Sequence, residues 1–286
     1  MLSVLTIVKN RRQQLCNLMM GLRQSTTPPE ELVVVHMDEP AYDNLPAVPF
    51  PVRTQFLQAN HAGIPLAEAR NLAARSATSD LLLFLDVDCI PSAELVEEMA
   101  ATLRERSALV MSEVAYLPRG AVAEDWTLEK LDRVGVAHPA RPRVAPQSFI
   151  VPESYTFFWS LSFGIRRSDF VTIGAFDEDY HGYGAEDTDL AFRAREAGLP
   201  FIIIRAKAYH QYHPVYRPPV HRFQDIIENA RVFYTKWDRW AMESWLQHFA
   251  DHEYIRWTER DPQLTVLRTP SESEVEACFA DDGKGF

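Results

Sequence analysis

The feature that most restricts the fold is the alternation of short apolar strands with helices over the first hundred residues. The run ELVVVH, residues 31–36, is rich in valine and lacks the polar alternation of a strand with one face in water. A strand covered on both faces has this composition. Because strand–helix–strand units join parallel strands by right-handed crossovers, the pattern predicts an α/β fold with a mostly parallel central sheet flanked by helices.

Composition and charge narrow the class of protein. The chain has 286 residues, 47% apolar and 24% charged, which is typical of a soluble globular protein. Its formal charge of −11 argues against broad nucleic-acid binding. Cys16, Cys89 and Cys278 are too few for a disulfide framework or a zinc site, so we expect a reducing compartment, the cytoplasm. The sequence predicts neither a signal peptide nor a transmembrane segment.

Local patterns predict the positions of the elements. In the first part we expect strands at 3–8, 31–36, 52–56 and 80–85, and helices at 13–24, 64–76 and 91–106. Further on we expect strands at 108–117, 160–166 and 201–208, and helices at 167–173 and 186–197. We expect residues 118–155, which are rich in proline and charge, to form a partly helical excursion. We expect residues 219–248 to form an amphipathic helical region.

Two aspartates directly follow a buried strand in LLLFLDVDCIP, residues 81–91. Side chains two positions apart point the same way in an extended segment, so Asp86 and Asp88 can offer oxygens to one divalent cation. Ligands bind at the carboxyl ends of such strands, where Asp38 is also expected. An acidic turn after a strand is common without a metal, so this motif alone leaves both interpretations open.

A second acidic segment, HGYGAEDTD at residues 181–189, begins a predicted helix. Gly182 and Gly184 permit an unusual backbone before it, and the helix dipole stabilises acids in its first turn. Three carboxylates in four residues exceed what capping requires. One of them can accept a proton from an acceptor hydroxyl within hydrogen-bond reach, with capping as the alternative.

The run YHQYHP, residues 209–214, offers nitrogen ligands. A neutral imidazole at a strand end can bind a metal, and the acidic motif favours at least one of His210 and His213 as a ligand over a purely structural role. Arg70 and Asn71 lie on an alanine-rich predicted helix before the DVD motif. The arginine can pair with a ligand phosphate or with the acidic cluster, or it can be solvated.

These segments, in this order, resemble family 2 glycosyltransferases of the GT-A fold over residues 1 to about 214. TIVKNRRQQLCNLMMGLRQ resembles the first strand and helix of the family, and VVVHMDEP its second strand with a base-contacting aspartate. AGIPLAEARNLAARSATSDLLLFLDVDCIP resembles its A-R-N helix and D-x-D strand. Residues 163–198 are similar to a segment of galactosyl- and N-acetylgalactosaminyltransferases, with Tyr183 where galactosyltransferases often have tryptophan.

The resemblance implies a hexosyltransferase that uses a UDP-sugar donor, a carbohydrate or other hydroxyl-bearing acceptor, and Mn²⁺ or Mg²⁺. It places the nucleotide at Asp38, Val8, Arg11, Arg70 and Asp86. It assigns the metal to Asp88, His213, Asp86 and His210. It implies Asp187 as general base of an inverting displacement, with Glu186 on substrate hydroxyls, and Tyr183, Trp159 and Gly184 at the sugars.

The resemblance also predicts the domain organisation. Residues 1–214 would form the GT-A domain, with a nucleotide-binding half at 1–106 and an acceptor and metal half at 107–214. Residues 215–286 would form a helical extension packed on that domain as a cap. The alternatives for this extension are an acceptor platform, a homodimer surface or weak membrane attachment, and its mixture of acids and bases ranks membrane attachment last.

Three other functions compete with an inverting transferase. A retaining enzyme of the same fold would use Asp187 for sugar binding and need no base there. A binding protein could keep the fold without turnover, although the intact carboxylates and His213 argue against it. A sugar-phosphate nucleotidyltransferase would be expected to have a glycine-rich basic loop after the first strand, and KNRRQQ has the charges without the glycine.

Overall fold

A ten-stranded sheet organises the structure, a computed structural model that describes residues 1–123, 125–144 and 148–283. Its strands are β1 (Leu2–Val8), β2 (Glu31–Met37), β3 (Val52–Leu57), β4 (Leu81–Leu85), β5 (Cys89–Pro91), β6 (Leu109–Tyr116), β7 (Val136–Ala137), β8 (Phe149–Ile150), β9 (Ser162–Arg166) and β10 (Phe201–His210). The helices are α1 (Arg12–Leu22), α2 (Leu66–Ser76), α3 (Leu95–Glu105), α4 (Leu128–Val134), α5 (Arg167–Thr172), α6 (Glu186–Glu196), α7 (Phe223–Trp237), α8 (Glu243–Asp251) and α9 (Glu272–Ala277). Two short strand pairs join β11 (Val215–Tyr216) to β14 (Phe279–Ala280) and β12 (Ile255–Arg256) to β13 (Thr265–Val266).

The order of the main strands is β3-β2-β1-β4-β9-β6-β10-β5, with β7 on β6 and β8 on β10. The strands β3, β2, β1 and β4 run parallel, as do β6 and β10. Strand β9 lies antiparallel between β4 and β6, and β5 lies antiparallel on β10. The predicted α/β class with a mostly parallel central sheet is therefore confirmed.

Both faces of the sheet are buried, as the unbroken apolar strands predict. Along β1, Val4 and Val8 join one core, packed against α1 and α3, while Leu5 and Ile7 join the other, packed against α2, α5 and α6. The alternation arises because successive side chains of a strand point to opposite faces. Small alanines on the buried side of α2, such as Ala73, pack directly on the second core.

The prediction of one helix over 91–106 is wrong at its start. Pro91 belongs to the three-residue strand β5, which pairs with Ala208–His210, and α3 begins only at Leu95. Proline is favoured in the first turn of helices but is also tolerated at strand ends, where its missing N–H is not needed. The pairing with a strand more than a hundred residues away decides between the two.

The C-terminal region is helical, but it also contains the short strands β11 to β14. Helices α7 and α8 are separated at 238–242, where Asp238 and Met242 both adopt a left-handed backbone. Their apolar sides share a core cluster that includes Phe223, Phe249 and Trp257. The predicted helical region at 219–248 is thus two helices. No helix among the described residues is long and apolar enough to cross a membrane.

Candidate active site

The sheet opens at the carboxyl end of β1. Strand β1 pairs with β2 as far as Val8 but with β4 only as far as Leu5. Beyond β4 the chain turns: the Asp86 N–H donates to the Leu161 carbonyl at 2.9 Å, and the Cys89 N–H donates to the Asp86 carbonyl at 2.8 Å. Crevices of this kind, where neighbouring strands diverge, are the usual ligand sites of open α/β sheets.

The DVD segment is a turn rather than the extended segment we predicted, and its two carboxylates separate. Asp86 faces Arg70, with 3.4 Å between Oδ1 and Nη2. Asp88 instead faces His213, with 3.9 Å between Oδ2 and Nε2. Among the described residues, the group with metal-ligand geometry at this place contains Asp88, His210 and His213, whose ligand atoms lie within 4.8 Å of one another. The structure therefore brings three of the four predicted metal ligands together and places Asp86 on an arginine.

Two atoms of this group, Asp88 Oδ1 and His210 Nδ1, are buried and have no hydrogen-bond partner among the described residues. A buried polar atom without a partner is costly, so both atoms suit a cation. His213 Nδ1 lies 2.9 Å from the Pro214 carbonyl and must donate to it, which leaves the lone pair on Nε2, the atom that faces Asp88. Burial, with a smaller contribution from His213, lowers the pKa of His210 to about 3, so the ring is neutral. The residues fit a divalent metal ion.

Gln211 fixes this group against the rest of the fold. Its N–H donates to the Asp88 carbonyl at 2.7 Å, and its side-chain amide accepts from Asn17 Nδ2 at 2.6 Å. His210 is the last residue of β10 and pairs with Cys89 of β5. The metal-ligand group is therefore held by the register of two strands and by a buried amide pair.

Arg70 links Asp86, which follows β4, to Glu186 at the start of helix α6. Its Nη1 lies 3.0 Å from Glu186 Oε1 and its Nη2 lies 3.4 Å from Asp86 Oδ1, with the guanidinium buried. Burial favours the neutral guanidine, but Asp86 and Glu186 outweigh it and raise the pKa of Arg70. For Asp86 burial is the larger effect, and it raises the pKa to about 6 despite Arg70.

Asp187 is the second residue of α6, and the strained position Ala185 directly precedes the helix. Ala185 has a left-handed backbone with φ 72°, an uncommon conformation for alanine. Asp187 Oδ1 accepts from the Thr188 N–H at 2.7 Å. Burial raises the pKa of Asp187 to about 7, Glu186 adds to the rise and Arg70 opposes it. A carboxyl group with a pKa near 7 can exchange a proton at neutral pH.

Asp38 directly follows β2 and has a left-handed backbone with φ 53°. Lys9 Nζ donates to Asp38 Oδ2 at 2.8 Å, and the Ala59 N–H donates to Oδ1 at 2.7 Å. The hydrogen bond from Lys9 is the main cause of the lowered pKa of Asp38, so this residue is an anion. Arg11 precedes α1, and its N–H donates to the Tyr42 hydroxyl at 3.1 Å. Val8 thus ends β1 and Arg11 follows it, while Asp38 follows the adjacent strand β2, as predicted for Asp38.

The residues that we predicted to contact the sugars lie next to an aromatic ring, a guanidinium or a methionine sulfur. Tyr183 is 39% exposed and stacks on Trp245 of α8, with 5.8 Å between ring centroids. Trp159 has the guanidinium of Arg141 over its ring at 3.9 Å. Gly184 has φ 102°, and a Cβ there would lie 2.5 Å from Met242 Sδ, which explains why the position is glycine.

Two polar residues near these motifs serve the fold. Asp189, the third acid of the EDTD run, accepts from Trp237 Nε1 at 2.9 Å and pairs with Lys236 at 2.8 Å, which ties α6 to α7. Asn71 forms a two-way pair with the Phe176 backbone, donating at 2.8 Å and accepting at 2.9 Å. The acidic run therefore combines a structural anchor with Glu186 and Asp187.

Sequence reasoning missed Arg141, which lies in the proline-rich excursion. Its Nη1 contacts Met111 Sδ at 3.2 Å, whereas its Nε and Nη2 are buried without a hydrogen-bond partner in the described part of the chain. Burial lowers its pKa to about 10, and the opposing effects of Tyr116 and Asp187 show that it faces the site. No periodicity or spacing in RPR marks such a residue, because the lack of hydrogen-bond partners for its nitrogens among the described residues depends on the folded surroundings.

Comparisons with known proteins agree with this fold. Solved structures similar to this chain share the GT-A fold. One is Staphylococcus aureus TarS 1–349 in complex with UDP-GlcNAc, with a TM-score of 0.55 at 16% identity over 74% of this chain and 58% of that one. Another is GalNAc-T7 with UDP, GalNAc and Mn²⁺, with a TM-score of 0.53 at 15% identity over 74% of this chain and 44% of that one.

The family follows from the sequence match. The family model described as glycosyltransferase-like family 2 matches residues 52–203, more than half of the chain, so the chain belongs to this family. The validoxylamine A glucosyltransferase of Streptomyces hygroscopicus subsp. limoneus is 29% identical over 226 residues, 72% of this chain and 50% of that protein. The uncharacterized glycosyltransferase YfnE of Bacillus subtilis (strain 168) is 23% identical over 258 residues, 74% of this chain and 65% of that protein. The chain spans about half the length of the validoxylamine relatives it matches.

Proposed function

We propose that this chain is a metal-dependent transferase that moves a hexosyl group from a UDP-sugar to an acceptor hydroxyl. The observation that carries the proposal is the pair of buried, unpartnered atoms Asp88 Oδ1 and His210 Nδ1, beside His213 at the open edge of the sheet. Family membership supports glycosyl transfer, and the UDP-GlcNAc in TarS and the UDP with Mn²⁺ in GalNAc-T7 support the donor class.

In this proposal the nucleotide lies along the ends of β1 and β2. Asp38, an anion held by Lys9, would accept a hydrogen bond from the base, with Val8 and Arg11 alongside. Arg141 would contact the diphosphate, because its unpartnered nitrogens suit an anionic oxygen. Residues 1–106 would thus bind most of the nucleotide, and 107–214 would supply the remaining metal and acceptor contacts.

Asp88, His210 and His213 would hold the metal. A divalent ion there would offset the negative charge that develops on the leaving nucleoside diphosphate. Two imidazole nitrogens in the group favour Mn²⁺ over Mg²⁺, which prefers oxygen ligands. Asp86, paired with Arg70, would contact the ribose rather than the metal.

The acceptor would enter beside Asp187. In an inverting displacement Asp187 would take the proton of the acceptor hydroxyl, and its pKa of about 7 suits that role. Glu186 is bound to Arg70 at 3.0 Å and would orient substrate hydroxyls. Tyr183 and Trp159 would flank the sugars. We prefer inversion to retention because Glu186 has an arginine partner that neutralises it, whereas burial keeps Asp187 able to exchange a proton near neutral pH.

A donor screen tests this function. Thermal stability is measured with a panel of nucleotide sugars, with and without Mn²⁺, followed by detection of released UDP with candidate acceptors. We expect UDP-sugars to stabilise the protein in a Mn²⁺-dependent manner and to be turned over. Binding without any turnover across donors and acceptors would instead favour a non-catalytic binding protein.

The Asp88→Ala variant tests the metal assignment. We expect it to lose Mn²⁺-dependent UDP binding. The control is Asp132→Ala, which removes an exposed carboxylate paired with Lys207 of β10, the strand that ends at His210. This control should keep Mn²⁺-dependent UDP binding. Unchanged, Mn²⁺-sensitive UDP affinity in Asp88→Ala would contradict the assignment. Among the histidines, His213→Ala should weaken metal binding more than His210→Ala, because the lone pair of His213 Nε2 faces Asp88. The reverse order would make His210 the principal ligand.

A further inference from the structure

A second group with metal-ligand geometry lies outside the candidate active site. It consists of His61, Glu68 and His181, whose ligand atoms lie within 4.8 Å of one another. His61 Nε2 is 3.1 Å from Glu68 Oε1, and their side chains are only 16% and 20% exposed. The rings of His61 and His181 lie 3.9 Å apart. The three side chains come from the loop after β3, from the first turn of α2 and from the segment before α6.

His61 and Glu68 bring two acceptor atoms close together. Its Nδ1 is 2.8 Å from the Ala62 carbonyl, an acceptor, so Nδ1 carries the hydrogen. In the neutral ring, Nε2 then directs a lone pair at the Glu68 carboxylate, which is also an acceptor. Two acceptors 3.1 Å apart need a hydrogen or a cation between them. A hydrogen links those two atoms alone, whereas a metal ion can also bind the nitrogen of His181.

The backbone around the group is fixed before any ligand binds. Gly63 and Gly182 are in close contact, and a Cβ at Gly63 would lie 2.9 Å from the Cα of Gly182. Asn229 Nδ2 donates to the carbonyls of His181 and Gly184, both at 2.9 Å. The carbonyl that holds His61 Nδ1 orients the ring, as outer contacts of metal-bound histidines do. Ligands held in this way lose little freedom when a metal binds.

We propose that His61, Glu68 and His181 bind a second divalent metal ion of the Zn²⁺ or Co²⁺ class. Two imidazoles and one carboxylate form a donor set that Zn²⁺ prefers and that Mg²⁺ does not. The ion joins the loop after β3, in which Ala59 holds Asp38, to the segment that leads into Asp187. It therefore connects the base-contacting and acceptor sides of the candidate active site without belonging to either.

Zinc binding tests this site when the Asp88 group is disabled. Full-length Asp88→Ala protein is dialysed against Zn²⁺, its bound metal is measured and its melting temperature is recorded. We expect about one Zn²⁺ per chain and a Zn²⁺-dependent rise in Tm. Adding His61→Asn and His181→Asn should weaken Zn²⁺ binding at least about 10²-fold and abolish the rise. Unchanged binding in that variant overturns the proposal.

The chain offers a matched control. His248 and His252 also stack at 3.9 Å, but they belong to no group of three ligands in the described residues. Adding His248→Asn and His252→Asn to Asp88→Ala should leave Zn²⁺ binding unchanged, and an equal loss there would overturn the site. Glu68→Gln keeps the side-chain size and serves if the double histidine variant does not fold. Stabilisation by acid without any response to Zn²⁺ would show that a proton, and not a metal ion, lies between His61 and Glu68, and it would overturn the proposal.

Discussion

Two arginines beside the candidate active site, the buried Arg70 and the half-buried Arg141, differ in their partners. Arg70 lies 3.0 Å from Glu186 and 3.4 Å from Asp86. Arg141 instead has the Trp159 ring at 3.9 Å and the Met111 sulfur at 3.2 Å, with Nε and Nη2 unpartnered among the described residues. Their pKa values follow these surroundings: that of Arg70 is raised by its carboxylates, and that of Arg141 is lowered to about 10 by burial.

The different surroundings of the two arginines indicate different roles. Arg70 is part of the fold, because it neutralises carboxylates on a strand end and on α6 that would otherwise repel each other. Arg141 has two buried nitrogens without a partner among the described residues, and Asp187 offsets only part of the cost, since a cation removed from water needs an anion or water in exchange. An anionic ligand can supply that anion. Substitutions of the two arginines should therefore affect stability in opposite directions.

Removing Arg70 should have the largest effect. Arg70→Met leaves the buried Glu186 and the half-buried Asp86 without their shared cation, and breaking a buried ion pair costs about 3–5 kcal/mol. Urea unfolding measures the loss. Arg75→Met is the matched control on the same helix, because its pair with Glu178 is solvent-exposed and such pairs contribute about 0–1 kcal/mol. Equal losses in the two variants would show that Arg70 is not a structural neutraliser.

Replacing Asp187 should have the next largest effect, and it should act on turnover. Asp187→Asn keeps the side-chain size but removes the base, so kcat should fall about 10²-fold or more while UDP-sugar affinity stays unchanged. Asp179→Asn, an exposed carboxyl nearby in the chain, is the control for charge alone. Near-normal turnover would exclude Asp187 as base and favour the retaining alternative.

Features that depend on neighbouring residues in the chain could be predicted from the sequence, whereas features that depend on the fold could not. Asp88 and His213 follow strands whose apolar runs are local in the chain, so their position after the strand ends was predictable, and their roles as ligands stay predictions. Strand β5 was not predictable, because three residues are too few to show a hydrophobic period and because its pairing with β10 depends on the fold. Arg141 was missed because the lack of hydrogen-bond partners for its nitrogens among the described residues is a tertiary property. Asp189 was predicted only as an acid of the first turn, since its partners Lys236 and Trp237 lie on a distant helix.

Replacing Arg141 should lower affinity without lowering stability. Arg141→Met keeps an apolar stem beside Trp159, so the free energy of unfolding should stay the same or rise. Affinity for the UDP-sugar should fall about tenfold or more, because hydrogen bonds to charged groups contribute about 1.5–3 kcal/mol. Titration of UDP-sugar by calorimetry measures this change. Arg143→Met is the control, since Arg143 is exposed two residues away. A destabilised Arg141→Met protein with unchanged affinity would remove the distinction between the two arginines.

The smallest effect should be the pH dependence that Asp187 imposes. Four charged or titratable groups act on its carboxyl: Glu186 and Tyr183 beside it, and Arg70 and Arg141 from other elements. Because the base must be deprotonated and the pKa of Asp187 is about 7, kcat/KM should fall about fivefold from pH 7 to pH 6 and level off above pH 8. A profile that is flat across this range would separate Asp187 from the proton transfer.

Stability should change in the opposite direction over the same range. The folded-state pKa of Asp187 is raised above its ordinary value of 3.8, so its contribution to stability is complete below that value and is lost as pH rises through 7. Asp86, whose pKa is raised to about 6, has the same sign. The difference between wild-type protein and Asp187→Asn in urea unfolding at pH 6 and pH 8 isolates Asp187. Because this carboxyl is most useful as a base where it is least favourable for folding, a pH dependence of activity and stability with the same sign would contradict its assignment.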